Sequence, residues 1–153
     1  ISKMIEAGVL VGLGTDGAAS NNDLDMWEEM RLASLLQKVI SMDPEVLPAI
    51  EVLRMATSNG AEIIGMKNEI GMIAVGMKAD VIQIAYDDVH HVPSYDIASH
   101  LVYVTDEQDV INVIIDGKLI MHQREFLTLD TEQIREDVTS ISSRIKETMN
   151  SNQ

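Results

Sequence analysis

An unbroken apolar run near the beginning of the sequence constrains the fold more than any other feature. Residues 9–13 read Val-Leu-Val-Gly-Leu, are bounded by glycines and do not alternate with polar residues. A strand with one face in water alternates in this way, whereas a strand covered on both faces, as in a parallel sheet or barrel, does not. We therefore predict a buried strand here, with Asp16 just beyond its C-terminal end.

Two helices are predicted after this strand. Leucine and valine recur at helical spacing behind capping residues at 21–23, which indicates a helix over residues 23–40. A second helix is predicted over residues 48–64, with Pro48 in its first turn and Gly65 at its C-terminal cap. Strand, loop and helix form a β/α unit, so this part of the chain is assigned to the α/β class.

The later part of the chain has the pattern of a small sheet. Glycines and apolar residues between 71 and 84 predict short strands. Residues 110–115 and 118–122 flank Asp116-Gly117, a pair that supplies the positive φ angles of a type I′ turn, and this predicts a β-hairpin. From Thr131 onward, isoleucine and valine recur at helical intervals, which indicates a terminal helix with a frayed polar tail.

Composition excludes several classes of function. The sequence has 25 acidic and 11 basic residues and a net charge of −14, so most of the surface repels phosphate backbones and anionic membranes. It has no cysteine, and therefore neither a disulfide nor a thiolate nucleophile. No apolar run approaches the ~18 to 20 residues of a membrane helix. We expect a soluble, cytoplasmic protein with neither a nucleic-acid nor a membrane partner.

A carboxylate beside glycines is the strongest candidate for chemistry. Gly14-Thr15-Asp16-Gly17 follows the predicted strand, at the face where β/α barrels hold their active sites. The simpler alternative is a turn aspartate that bonds only to local backbone. Ser20 lies on the same loop, where its hydroxyl is a candidate for substrate binding. The alternative for Ser20 and the asparagines at 21 and 22 is helix capping.

The longer sequence around this carboxylate resembles a known family. Residues 14–31, GTDGAASNNDLDMWEEMR, resemble the eighth-strand segment of the 5-methylthioadenosine/S-adenosylhomocysteine deaminase branch of the amidohydrolase superfamily. Residues 56–61 and 71–81 agree with that branch in order and separation, and the hairpin followed by residues 126–130 is similar to its closing segment. The resemblance covers nearly the whole chain.

This resemblance implies an architecture and an extent. Residues 1–66 would be the C-terminal part of a TIM (β/α)₈ barrel, residues 67–130 the C-terminal half of a composite β-sandwich, and residues 131–153 a helix and tail. A complete barrel needs ~250 residues, so we expect this chain to be a fragment of a longer protein. An incomplete barrel exposes a sheet edge and an apolar face, and we expect a homo-oligomer to cover them.

The resemblance also implies a role for Asp16. In the family the matching aspartate is a metal ligand that accepts a proton from the attacking water, so Asp16 is expected to be both a catalytic residue and a ligand of zinc, or of iron. The parent enzyme would hydrolyse the exocyclic C–N bond of an aminopurine nucleoside, a small-molecule substrate. A catalytic metal usually needs about three protein ligands. The family's histidines and catalytic glutamate have no match here, so we expect this chain to bind no catalytic metal and to be inactive alone.

Two other functions remain open at this point. The same scaffold could serve a chlorohydrolase or another deaminase, with a triazine or guanine as substrate. A non-catalytic acidic domain for binding or assembly belongs to a different class. The sequence does not distinguish among these three functions.

The four histidines offer no evident replacement for the missing ligands. His90 and His91 are adjacent, so in an extended segment their side chains would point to opposite faces. His100 precedes an apolar, strand-like run, and His122 follows the hairpin. We expect all four to be surface residues or hydrogen-bonded polar residues.

Overall fold

The computed structural model describes residues 1–151, which form a group of helices and a four-stranded antiparallel sheet. The helices are α1 Ser2–Glu6, α2 Met26–Ser41, α3 Ala49–Ala56, α4 Ser58–Ile63, α5 Ile97–Tyr103 and α6 Thr131–Ser151. The strands are β1 Val81–Ile84, β2 Val110–Ile115, β3 Lys118–His122 and β4 Glu125–Phe126. Two short 3₁₀ helices, Val89–His91 and Glu107–Asp109, follow β1 and precede β2 respectively.

The predicted strand at residues 9–13 is not formed. This segment is irregular, and no strand of residues 1–151 pairs with it. The Leu13 amide instead donates to the Met55 carbonyl at 3.0 Å, and Asn59 Nδ2 donates to the Val11 carbonyl at 3.2 Å. A parallel strand exists only through hydrogen bonds to its neighbours, so an apolar pattern without a neighbouring strand gives an extended segment tied to α3 and α4.

Helix α2 begins at Met26, three residues after the predicted start at residue 23. The Asp25 carboxylate caps it by accepting hydrogen bonds from the Trp27 and Glu28 amides at 2.8 and 3.1 Å. The expected capping residues at 21–23 belong to the preceding loop. The prediction identified the helix but assigned its cap to the wrong residues.

The single helix predicted over residues 48–64 is two helices. Thr57 has φ −127° and ψ −94°, a non-helical conformation that separates α3 from α4. Pro48 is the N-cap of α3, where its backbone is extended, and does not occupy the first turn. Gly65 has φ 79° and follows the C-cap residue Ile64 of α4, so a left-handed glycine marks this helix end as predicted.

The predicted hairpin is confirmed. Asp116 and Gly117 have φ angles of 49° and 76°, and Ile115 pairs with Lys118 across the turn. The sheet order is β1-β2-β3-β4, with every pair antiparallel. Ile73, expected in a short strand, lies outside the sheet.

The core is helical and includes residues from both parts of the sequence. Val52 of α3 and Val102 of α5 are fully buried, and Met30 of α2 packs into the same cluster. Helix α5 lies between β1 and β2 in sequence, yet it packs on α2 and α3. It therefore connects the sheet to the helical core.

Helix α6 has the predicted position but buries none of its side chains. The Asp130 carboxylate, and not Thr131, accepts a hydrogen bond from the Gln133 amide at 3.0 Å. The predicted frayed tail falls partly on residues 152–153, which lie outside the described residues. Within residues 1–151, no helix is both long and apolar enough to cross a membrane.

Candidate active-site loop and a histidine–aspartate cluster

Asp16 lies in the loop that connects the irregular segment at 9–13 to α2. Its φ angle is 61°, a left-handed conformation that is uncommon for residues other than glycine. The Asp16 Oδ1 atom accepts a hydrogen bond from the Gly17 amide at 2.8 Å. The side chain is exposed, so this local hydrogen bond fixes the carboxylate while leaving it accessible.

Neighbouring donors stabilise the ionised form of this carboxylate. The Ser20 hydroxyl, and after it the Gly17 amide, hold the pKa of the Asp16 carboxyl below its ordinary value of 3.8. The single Ser20 hydroxyl proton can be donated either to Asp16 or to the Gly17 carbonyl, which lies 3.1 Å from Oγ. An exposed carboxylate that is anionic at neutral pH can ligate a cation or accept a proton.

Asn21 closes the loop. Its Nδ2 atom donates to the Thr15 carbonyl at 2.9 Å and to Glu29 Oε1 at 3.0 Å. These two bonds link the residue before Asp16 to the first turns of α2. Asn21 therefore supports the loop itself and does not cap the helix, which Asp25 does.

Gly12 allows the segment before this loop to pack closely on α4. A Cβ at Gly12 would lie 2.9 Å from Ile63 Cδ1 and 3.3 Å from the Gly60 Cα. The segment leading to Asp16 consequently lies directly against α4. This contact fixes where the loop begins.

An apolar cleft lies apart from Asp16. It has a volume of about 640 Å³ and lies between the helices and β1. Its lining is mostly apolar and includes Trp27, Met30, Leu53 and Ile82, but not Asp16. The cleft therefore adds no chemistry to the carboxylate.

Among residues 1–151, Asp16 does not belong to any group of three potential metal ligands. Its exposed and anionic oxygen fits one position of a metal site. Ser20 lies beside it, as predicted, whereas the four histidines lie on other elements. At this loop, Asp16 is therefore the one residue that fits the role of a metal ligand.

His90 and His91 do not point to opposite faces, and that expectation is wrong. They lie in the 3₁₀ helix Val89–His91, which places their ring centroids 4.0 Å apart. His90 Nε2 is 3.1 Å from Asp109 Oδ1, and His91 Nε2 is 3.4 Å from Asp109 Oδ2. The error came from assuming an extended backbone, since a helical turn brings adjacent side chains closer together.

His100 is buried within α5 and does not precede a strand. Its Nε2 atom lies 2.8 Å from His91 Nδ1. His122, at the end of β3, is exposed as expected and lies 2.9 Å from Asn112 Oδ1. Asp109 was missed in the sequence, although its spacing from Asp106 is that of a capping box.

Residues 1–120 match the sequence model of the Amidohydrolase family. The chain is 48% identical over 145 residues to the 5-methylthioadenosine/S-adenosylhomocysteine deaminase of Pelotomaculum thermopropionicum. The aligned region covers 95% of this chain and 33% of that protein. The chain thus spans about a third of the length of this relative.

Two solved structures are similar in fold. An adenosine deaminase from Xanthomonas campestris with bound zinc has 36% identity and a TM-score of 0.91, covering 95% of this chain and 33% of that one. The atrazine chlorohydrolase of Arthrobacter aurescens TC1, complexed with zinc, has 30% identity and a TM-score of 0.80, covering 91% of this chain and 31% of that one.

Proposed function

The chain belongs to the amidohydrolase family, and on that basis we propose that it supplies one side of the active site of a metal-dependent deaminase. The whole enzyme would hydrolyse the exocyclic C–N bond of an aminopurine nucleoside such as 5-methylthioadenosine or S-adenosylhomocysteine. The observation that carries this proposal is the ionised carboxylate of Asp16, exposed on a fixed loop. Identity of 48% to a deaminase of that specificity supports the substrate class.

The proposed architecture follows the same similarity. Residues 1–66 would complete a (β/α)₈ barrel, residues 67–130 would form half of a composite β-sandwich, and residues 131–153 a terminal helix and tail. The TM-score of 0.91 to a deaminase supports this arrangement. Residues 9–13 would become a barrel strand when neighbouring strands supply their hydrogen bonds.

Asp16 would have two roles in the reaction. A bound divalent metal, Zn²⁺ or in its place Fe²⁺, lowers the pKa of water toward ~7 and so supplies a nucleophile at neutral pH. Asp16 would ligate the metal and accept the proton of the attacking water on a carboxylate oxygen. It would then return that proton to the leaving amine, which departs as ammonia.

Two neighbours would prepare Asp16 for these roles. The Gly17 amide orients the carboxylate, and the Ser20 hydroxyl keeps its pKa low. The exposed Ser20 hydroxyl is also proposed to contact substrate.

This chain alone would be inactive. A catalytic metal site usually has about three protein ligands, and Asp16 is one. We propose that the remaining metal ligands and the catalytic glutamate lie in the part of the enzyme outside this chain. Association with further copies, in a homo-oligomer, is proposed to cover the apolar faces that the chain exposes.

A second candidate is a chlorohydrolase on the same scaffold. The 30% identity to atrazine chlorohydrolase supports it, and chloride would then leave in place of ammonia. The higher identity to the deaminase favours the first candidate. If the chain is instead a non-catalytic assembly domain, turnover by the full-length protein should not depend on Asp16.

The test is Asp16→Asn in the full-length enzyme. The amide is nearly isosteric but cannot accept the proton of water, and loss of general-base help costs roughly 10²- to 10⁴-fold in turnover. Ammonia release from 5-methylthioadenosine and S-adenosylhomocysteine is measured together with metal content. Asp23→Asn, the same charge change on the same loop, is the matched control and should keep full activity.

Two results would contradict the proposal. One is full turnover by Asp16→Asn with normal metal content, which would make Asp16 a structural turn residue. The other is turnover by the 153-residue chain alone, which would show that the missing ligands are not required. Chloride release from a triazine without ammonia release from nucleosides would favour the second candidate.

A further inference from the structure

We propose that His90, His91 and Asp109 form a binding site for a divalent transition-metal ion such as Zn²⁺. The site is built on the two 3₁₀ helices, Val89–His91 and Glu107–Asp109, and not on the loop of Asp16. It does not depend on the proposed deaminase activity.

The donor atoms have the spacing that an ion of this kind needs. One donor atom from each of the three residues lies within 4.8 Å of the others. The two nitrogen–oxygen separations are 3.1 and 3.4 Å. Zinc bonds of about 2.0–2.2 Å in a tetrahedral site place neighbouring donors roughly 3.3–3.6 Å apart.

The imidazole of His91 provides an independent indication. Its side chain is fully buried, and its Nε2 atom has no hydrogen-bond partner among the described residues. Asp109 Oδ2 lies 3.4 Å away, without the geometry of a hydrogen bond. A buried polar atom without a partner is costly, and a bound ion is one of the few ways to satisfy it.

The bond between His91 and His100 is compatible with a metal-ligand tautomer of His91. When His91 Nδ1 donates to His100 Nε2, 2.8 Å away, the Nε2 atom of His91 carries a lone pair that faces the Asp109 carboxylate. That lone pair is available to a cation held between His91 and the Asp109 carboxylate. Metal-bound histidines ordinarily donate their other ring N–H to a hydrogen-bond acceptor, and in this tautomer the acceptor is His100 Nε2.

The site is held in place before any ion binds. Asp109 is buried, and its Oδ2 accepts the Asp106 amide at 3.0 Å. Burial works to raise the pKa of Asp109, but the Asp106 amide and the two imidazoles outweigh it, so the pKa lies below its ordinary value. The His91 ring stacks on Tyr86 with centroids 4.9 Å apart.

His90 gives the ion a route of entry. Its side chain is 41% exposed, whereas those of His91 and Asp109 are 0% and 7% exposed. An ion can therefore reach the donors from solvent and keep water in a remaining coordination position. Four further carboxylates, those of Asp87, Asp88, Asp106 and Glu107, lie within three residues of the ligands in sequence and favour a cation.

The ligand set selects the class of ion. Two imidazole nitrogens and one carboxylate oxygen suit Zn²⁺ and Co²⁺, whereas Mg²⁺ and Ca²⁺ prefer oxygen ligands alone. An ion here would link the segment after β1 to the segment before β2. Its expected role is to stabilise that junction.

The test is a titration of the metal-free 153-residue chain with Zn²⁺ by calorimetry and with Co²⁺ by visible absorption. We expect one saturable ion per chain and the absorption bands of tetrahedral Co²⁺. His90→Ala should weaken binding by more than the roughly 10- to 100-fold typical of losing an outer-shell partner. His122→Ala, an exposed histidine outside the cluster, is the matched control and should bind as the unmodified chain does.

Further variants separate the possible outcomes. Asp16→Asn should leave the affinity unchanged, so loss of binding in that variant would place the ion at Asp16 and overturn the proposal. Equal affinities of His90→Ala and His122→Ala would also overturn it, as would the absence of saturable binding. Asp109→Asn keeps the volume of the buried side chain, and circular dichroism shows whether it is folded; a folded variant that retains full affinity excludes Asp109 as a ligand.

Discussion

Individual residues with positive φ angles fix the loops of this molecule. Asp16 has such an angle, and its carboxylate is exposed on the loop. Gly71 and Gly76 have φ angles of 92° and 93°, but their surroundings differ. A Cβ at Gly71 would lie 2.7 Å from the Ala61 Cβ, whereas one at Gly76 would meet no atom within 4 Å. Alanine substitutions at these two glycines therefore separate the cost of backbone strain from the cost of overpacking.

We expect Gly71→Ala to destabilise the chain more than Gly76→Ala. Both substitutions place a Cβ on a left-handed residue, at a cost of about 1–2 kcal/mol. Only Gly71→Ala adds a contact with Ala61, and overpacking of this kind typically costs a further ~1–3 kcal/mol. Urea unfolding of the two variants measures the difference. Equal losses would show that residue 71 does not lie against α4.

Sequence reasoning placed individual residues well where local chemistry decides their position. Asp16 was predicted in a loop before a helix, and it lies in one; its catalytic role stays a prediction. The contacts among His91, His100 and Asp109 were not predicted. They depend on a 3₁₀ turn, which the Asp88 carboxylate starts by accepting the Val89 amide at 2.7 Å, and on the packing of α5.

At the scale of elements, patterns that are complete within a few residues were reliable. The hairpin at Asp116-Gly117 has its predicted turn and arms, because the turn residues themselves fix the geometry. The strand at residues 9–13 is absent, because a parallel strand depends on chain segments distant in sequence. The break at Thr57 was missed because no proline marks it, although the weak helix formers Ser58, Asn59 and Gly60 follow it.

Helix α5 offers a test of pH dependence. Its N-cap, Asp96, accepts the Ser99 amide at 2.7 Å, and the Ser99 hydroxyl and amide lower the pKa of Asp96 below 3.8. A carboxyl whose pKa is lower in the folded state stabilises the fold above its unfolded pKa, and this contribution is lost as the pH falls through the folded pKa.

We therefore expect the unmodified chain to lose stability relative to Asp96→Asn when the pH falls from 7 to below 3.8. Asparagine retains a capping oxygen but does not titrate in this range. Urea unfolding of both proteins at several pH values gives the difference. A difference independent of pH would show that the Asp96 carboxylate is not hydrogen-bonded in solution.

At the scale of the whole molecule, much apolar surface remains uncovered. Val39 and Ile40 on α2 are 69% and 72% exposed, beside three leucines of the same helix that are also exposed. Contiguous patches of this kind mark interaction surfaces. The net charge of −14 opposes close approach of identical chains, so association should strengthen as salt screens that charge.

We expect the isolated chain to self-associate and the double substitution Val39→Gln with Ile40→Gln to weaken this. Burying one such side chain contributes ~1.5–3 kcal/mol, so the dissociation constant should rise at least roughly tenfold. Sedimentation velocity at high salt measures it. Val75→Gln with Ile73→Gln removes the same side chains from an exposed loop and is the matched control. Equal effects of the two pairs would contradict an interface on α2.

The position of α5 between β1 and β2 governs the order in which the chain can fold. Strands β2 and β3 are joined by two residues, and hairpins of this kind form in about 1–10 μs. β1 is separated from β2 by the segment that contains α5, and α5 packs on α2 and α3. Closing that segment costs conformational entropy. The cost is offset only when α5 docks on α2 and α3. The hairpin should therefore form early, and β1 should join it only as the helical core assembles.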